Sequence, residues 1–268
     1  MPCAGVPVRW PGSQLAKPFR TLFGGIGGLV GMSLDTFVAM FRPPFAWEEF
    51  LTQTWFVARV SIVPAILLAL PYAVISGFLF NILLSQFGAQ DFSGTGSAFF
   101  AVTQIAPLAT VIVVSGAGAT AMCADLGART IREELDAQRV MGIDPIRALI
   151  VPRVLAATLV SVLIVSQVVI VGLTGAFVLC VYFLHVSTGA FVSGLTLLTG
   201  LGDVVVTLIK ATLFGLCSGL IACYKGISVR GGPAGVGIAV NETVVFCFIT
   251  LFTINILMTA IGVQFTIN

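Results

Sequence analysis

Residues 125–153 read DLGARTIREELDAQRVMGIDPIRALIVPR and hold ten charged residues of a 268-residue chain that has only 13 Lys or Arg and 11 Asp or Glu. On each side lies an apolar run at least as long as the roughly 20 residues that cross a bilayer's hydrocarbon core. A segment this charged, between two such runs, has to sit in water, because an unpaired ion in hydrocarbon is costly. From 126 to 141 its pattern is helical: Ala128, Ile131 and Leu135 recur three and four apart, the spacing of one helix face. Arg129 with Glu133, and Arg132 with Asp136, stand four apart, where each ion pair is worth about 0.2–0.5 kcal/mol. Gly142 suits the left-handed residue past a helix end. Asp144 before Pro145 suits an N-cap with proline at the first helical position. The expectation is a short amphipathic helix, a sharp stop, and a new helix leading into the membrane. Two readings fit: an ordinary solvated loop helix, or a lever gripped by a soluble partner.

The rest of the chain is what a bilayer demands. Hydrophobic residues make up 58%, charged residues 9%, and the mean hydropathy is +1.09, whereas soluble domains carry about 25% charged residues to cover a wet surface. A net charge of +2 spread along the loops gives no clustered basic face, so a nucleic-acid partner is not expected. The cysteines Cys3, Cys123, Cys180, Cys217, Cys223 and Cys247 include no CxxC pair; they read as small apolar packing residues, not a disulfide framework or metal site. The first twenty residues lack a signal peptide's apolar core and cleavage pattern, so insertion is expected to come from the spans.

The fold class expected is an all-α integral membrane protein with five transmembrane helices, at about 60–84, 98–123, 154–184, 204–223 and 243–265. Pro64 and Pro71 should kink the first. Lys and Arg fall in the N-terminal arm, in the loop between spans two and three, and in the loop between spans four and five; about 85–97 and 185–203 hold none. Five spans place these groups on alternating sides, which by the positive-inside bias makes the N-terminus cytoplasmic and Asn268 external. Residues 1–58 form an arm in which 20–58 mix glycines, aromatics and scattered charge, as an interfacial helix does, with a poorly formed sixth span as the competitor. Gly24/Gly28, Gly27/Gly31 and Gly215/Gly219 are spaced for close helix contact.

Other polar residues have competing readings. Lys210 is the one charge clearly inside a span, where insertion costs about 2.5–3.5 kcal/mol; it either snorkels outward or lines a polar path, with Asp203 seven residues earlier. Glu242 is read in the first turn of span five, where a carboxylate is favourable, and His185 at an interface. RGGPAGVG reads as a flexible loop or elbow. There is no GxxxxGK[ST], catalytic triad or metal cluster, so any ATP hydrolysis belongs to a partner.

The run EELDAQRVMGIDPIRALIVPRVLA resembles the signature of the MlaE/YrbE permeases, membrane subunits of Mce-type ABC lipid transporters. ADLGARTIREE, KGISVRGGPAGVGIAVNETVV and INILMTAIG extend the resemblance over nearly the whole chain, which is most similar to A-type YrbE proteins of actinobacterial Mce operons. The resemblance implies that residues 59–268 form the permease domain and that helix 126–141 is a coupling helix on a cytoplasmic ABC ATPase dimer, which binds the ATP and Mg. Glu133, Glu134, Asp136, Arg139, Gly142, Asp144 and Pro145 inherit that role. It also implies pairing with a B-type YrbE permease in the plasma membrane beneath an external ring of Mce proteins. The load that the resemblance implies is a hydrophobic lipid such as a fatty acid, mycolic acid or sterol, moved inward. Asn255 departs from the acid many relatives carry there, so that acid's role is not transferred. An ion-coupled secondary carrier would show intramembrane acids and an inverted repeat, neither of which is seen. A non-transporting scaffold is the third reading.

Overall fold

The computed structural model describes residues 27–41, 46–88, 92–183, 186–198 and 200–267; His185, Gly24 and the arm before residue 27 lie outside the described residues. Regular structure among them is entirely helical. Helix α1 is Gly27–Met40, about 21 Å long and too short to cross a bilayer. The five membrane-length helices are α2 (Trp47–Ser85), α3 (Ser93–Ile131), α5 (Ile146–Phe183), α7 (Leu201–Ile227) and α8 (Gly232–Ile267). Between them lie α4 (Glu134–Val140) and α6 (Thr188–Leu198).

Each membrane-length helix outruns its apolar core. α2 has 39 residues, about 58 Å, roughly twice the hydrocarbon thickness. It continues through Pro64 and Pro71 and begins at Trp47, with Glu48 and Glu49 in its first turn, where carboxylates favour the helix dipole. The boundary expected between residues 58 and 59 therefore falls inside this helix. Hydropathy marks where charge stops; it does not mark where the backbone leaves the helix, since near lipid a helix satisfies its own N–H and C=O groups. α3 is α-helical apart from π turns at Ala101–Ile105 and Val114–Gly118, and α5 has π turns at Ile146–Ile150 and Leu179–Phe183.

Four expectations are corrected. Helix 126–141 is not one helix: residues up to Ile131 finish α3, the chain turns, and α4 starts at Glu134. RGGPAGVG is mostly helix: Arg230 and the left-handed Gly231 (φ 88°) belong to the turn, and α8 starts at Gly232, itself at φ 73°. Glu242 is accordingly ten residues inside α8, not in its first turn. The connection about 185–203, read as a loop, contains α6.

α5 is the spine, packed between α2 and α7, while α7 also lies on α3 and α8. Small residues allow the approach. A Cβ on Gly215 would run into Ser161 Oγ and the Thr158 backbone, and one on Gly226 would come within 3.0 Å of Leu126 Cβ. At that crossing the Ser161 hydroxyl donates to the Ala211 carbonyl at 2.6 Å. Gly28 meets Tyr224 of α7 in the same way, while Gly27 and Gly31 face open space. The core is apolar (Met122, Val160, Ile164, Phe214, Leu251), and so is the outside: Leu67, Ile75, Leu79, Ile249, Ile256 and Leu257 are exposed. An apolar exterior of this extent suits lipid.

The connections bearing Lys and Arg meet at one end of the bundle. There the Thr130 hydroxyl donates to the Gly226 carbonyl at 3.1 Å, and Arg153 reaches Glu49 at the start of α2.

Candidate functional site

The quoted stretch is a closed excursion. Its first residue, Asp125, and its last, Arg153, are joined by a 2.8 Å charge-assisted hydrogen bond from Nη2 to Oδ2. Arg153 also reaches Glu49 Oε1 at 3.4 Å, which in turn accepts from Gln53 Nε2 at 2.9 Å. Arg129 Nε stands 3.5 Å from Asp125, and its Nη2 stands 4.0 Å from Glu49. Two cations and two carboxylates therefore clamp α2, α3 and α5 at their charged ends. The Arg153 side chain is 0% exposed, and at such a site removing one partner strands a buried charge. None of these residues stood out in the sequence as a site. Asp125 and Arg153 are 28 positions apart and Glu49 is 104 from Arg153, so no helical period could pair them.

Beyond this clamp the chain makes an elbow. Glu133 adopts φ 58°, the one left-handed non-glycine among the described residues, a conformation that costs an L-residue roughly 1–2 kcal/mol. It breaks the helix, so the pairs Arg129–Glu133 and Arg132–Asp136 do not form. Arg132 instead pairs with Glu134 at 3.1 Å and Arg139 with Asp136 at 3.1 Å. Leu135 is buried and pins α4 to the bundle. Gly142 follows α4 with φ 77°. Asp144 Oδ1 then accepts from the Ile146 N–H at 3.0 Å, and its other oxygen sits 3.7 Å from Arg147 Nε. This is the N-cap geometry that Asp-Pro favours. The tip of the elbow is bare apolar surface: Val140 is 89% and Met141 66% exposed, with Ile143 beside them. Acids paired within the elbow offer less to a partner than their number suggests. Glu133 stays exposed with no ion pair among the described residues, so the elbow offers a partner one free carboxylate beside its apolar tip.

The remaining candidates lie elsewhere and do not join this site. Glu242 forms a 2.6 Å ion pair with Lys225 across the turn between α7 and α8, and Lys225 sits 4.4 Å over the Phe246 ring. Asp203 caps α7, accepting from the Gly200 N–H at 3.1 Å. Lys210 does not snorkel. It is 3% exposed, and its Nζ donates to Thr259 Oγ1 of α8 at 2.8 Å. Asn255, also buried, lies one turn before Thr259. The only sequence signal for this contact was an unexplained charge within a span.

Two apolar grooves flank α5. One, of about 390 Å³, lies against α2 between Leu70, Val74, Ile170 and Phe183. The other, of about 220 Å³, lies between Val102, Val165, Val204 and Leu208 of α3, α5 and α7.

Residues 50–261 match the family described as Permease MlaE. Among similar proteins, a probable ABC transporter permease protein of Synechocystis sp. is 28% identical over 203 residues, covering 74% of this chain and 77% of that one. Another probable ABC transporter permease protein, from Rickettsia typhi, is 25% identical over 238 residues, covering 85% and 89%. The chloroplastic protein TRIGALACTOSYLDIACYLGLYCEROL 1 of Arabidopsis thaliana is 29% identical over 161 residues, covering 60% of this chain and 46% of its own. The chain belongs to the MlaE permease family.

Proposed function

We propose that this MlaE-family chain is the membrane subunit of an ABC-type lipid transporter, driven through the elbow at 132–145 by an ATPase held in a partner chain. The ATPase binds ATP and Mg; this chain supplies no catalytic group. The observation that carries the proposal is the joining of a bare aliphatic tip to a buried clamp. Val140 and Met141 protrude on a short rigid helix whose two roots, Asp125 and Arg153, are tied to each other and to α2. A push on the tip therefore reaches α3 and α5 together, and α2 through Glu49. Glu133 sets the bend, Gly142, Asp144 and Pro145 set the return, and Glu134, Asp136 and Arg139 keep α4 rigid by pairing within the elbow.

On this reading the elbow faces the cytoplasm and Asn268 lies outside, in the plasma membrane. The chain acts as an A-type YrbE subunit beside a B-type permease, under an external ring of Mce proteins. The load is a hydrophobic lipid, such as a fatty acid, mycolic acid or sterol, and moves inward. The apolar grooves beside α5 favour such a load, since an acyl chain needs contact area and few hydrogen bonds.

The test is recovery of the ATPase with the tagged full chain from membranes. Val140→Asp with Met141→Asp should abolish recovery while membrane insertion and thermal stability stay unchanged. Glu133→Lys with Asp136→Lys should reduce it. Recovery equal to that of the unaltered chain in both variants overturns the proposal. Mass spectrometry of the native complex identifies its subunits and co-purified lipid.

A further inference from the structure

Lys210 is a cation whose opposite charge is missing. It sits nine residues into α7 and is 3% exposed, and the one acceptor it meets is the neutral hydroxyl of Thr259 at 2.8 Å. That hydroxyl is itself committed, donating to the Asn255 carbonyl at 2.6 Å. Among the described residues no carboxylate lies within the 4.0 Å of an ion pair with Lys210. Asp203, the nearest acid along α7, is engaged with the Gly200 N–H at the helix start. Beside the lysine, Asn255 is 6% exposed and its side-chain oxygen has no partner. A buried ammonium with two unused protons is a costly arrangement unless an acceptor, best a charged one, completes it.

We propose that Lys210, Thr259 and Asn255 form a mid-span receptor for the anionic head of an amphiphile, a carboxylate or a phosphate. The head accepts from Lys210 Nζ, and the Asn255 amide turns its NH2 toward it. The apolar groove of about 220 Å³ takes Val204, Thr207 and Leu208 from the preceding two turns of α7, on the face towards α3 and α5. The proposal rests on the reading of this chain as a lipid-moving permease subunit and narrows its load to anionic lipids.

The test measures saturable binding of radiolabelled oleate to the purified full chain in mild detergent, with oleyl alcohol as the neutral counterpart and lysophosphatidate as the phosphate-headed one. Lys210→Met should weaken oleate binding by about tenfold or more, the scale of one lost charge-assisted hydrogen bond, and leave oleyl alcohol unaffected. Lys210→Arg should retain oleate. If Lys210→Met does not fold, Asn255→Asp gives the same information: it supplies an internal counter-charge, so it should preserve folding and weaken oleate. Whichever of oleate and lysophosphatidate binds more tightly names the head. Equal oleate affinity in the unaltered chain and the folded variant overturns the receptor, as does oleyl alcohol binding as well as oleate. Loss of a second membrane subunit from Lys210→Met complexes with oleate binding intact also overturns it, assigning the counter-charge to that subunit. None of these outcomes touches recovery of the ATPase, so the receptor and the transporter reading fail separately.

Discussion

Arg153 and Lys210 are both cations removed from water, and the chain treats them in opposite ways. Arg153 has Asp125 and Glu49 within 3.4 Å and a second arginine sharing both acids. Charge balances inside the protein, and three helices are fixed by it. Lys210 has one hydroxyl. A buried arginine matched by two partly buried acids fixes geometry, whereas a buried lysine that meets one hydroxyl keeps a charge still to be matched. The charged end of the bundle is thus built to hold its geometry, and the middle of α7 to accept something.

The largest effect should come from unbalancing the matched set. Arg153→Leu leaves Asp125 and Glu49 with Arg129 as their remaining cation and should destabilise the fold by about 1.5–3 kcal/mol, the scale of a lost hydrogen bond to a charged group, read as a lowered thermal midpoint in detergent. Asp125→Asn should cost less, because Glu49 still reaches Arg153. If both variants match the unaltered chain, the clamp is decoration and the contrast with Lys210 disappears. Next comes the crossing that brings α7 against α5. Gly215→Val forces a side chain into Ser161 and the Thr158 backbone and should cost about 1–3 kcal/mol through overpacking, with reduced yield of folded protein. Glu133→Gly probes the bend itself. Glycine adopts the left-handed conformation without the β-carbon clash, so the variant should gain up to about 1 kcal/mol; a loss would mean that the Glu133 side chain holds the elbow. The smallest change is expected from Glu242→Gln, because an ion pair with an exposed member contributes under about 1 kcal/mol. That change should also shrink at high salt.

Much of the architecture could be read along the chain. The five crossings, the loops that share a side, the stop at Gly142 and the cap at Asp144 all follow from properties of neighbouring residues. So does the close-packing role of Gly215 and Gly219, whose four-residue spacing puts both on one face. The position of the elbow is legible in the sequence; its form is not. Periodicity through 126–141 is consistent with one helix, and nothing local announces that Glu133 turns left-handed; the turn exists because Leu135 is drawn into the bundle while Asp125 is anchored to Arg153. Helix α6 was missed because an uncharged, glycine-containing run of eleven residues carries no strong local signal and gains its stability by packing against the start of α3.

Hydropathy and helical spacing add up along neighbouring positions, and on their own they fix that this chain is a five-crossing helical bundle with one charged excursion. Which acid meets Arg153, that Lys210 turns inward instead of outward, and that the chain bends at Glu133 to put Val140 and Met141 at the tip of the elbow are decided by helices meeting across tens of residues of intervening chain. Such pairings depend on interhelical distance and rotation, and those quantities are settled when side chains from separate helices fill the same space.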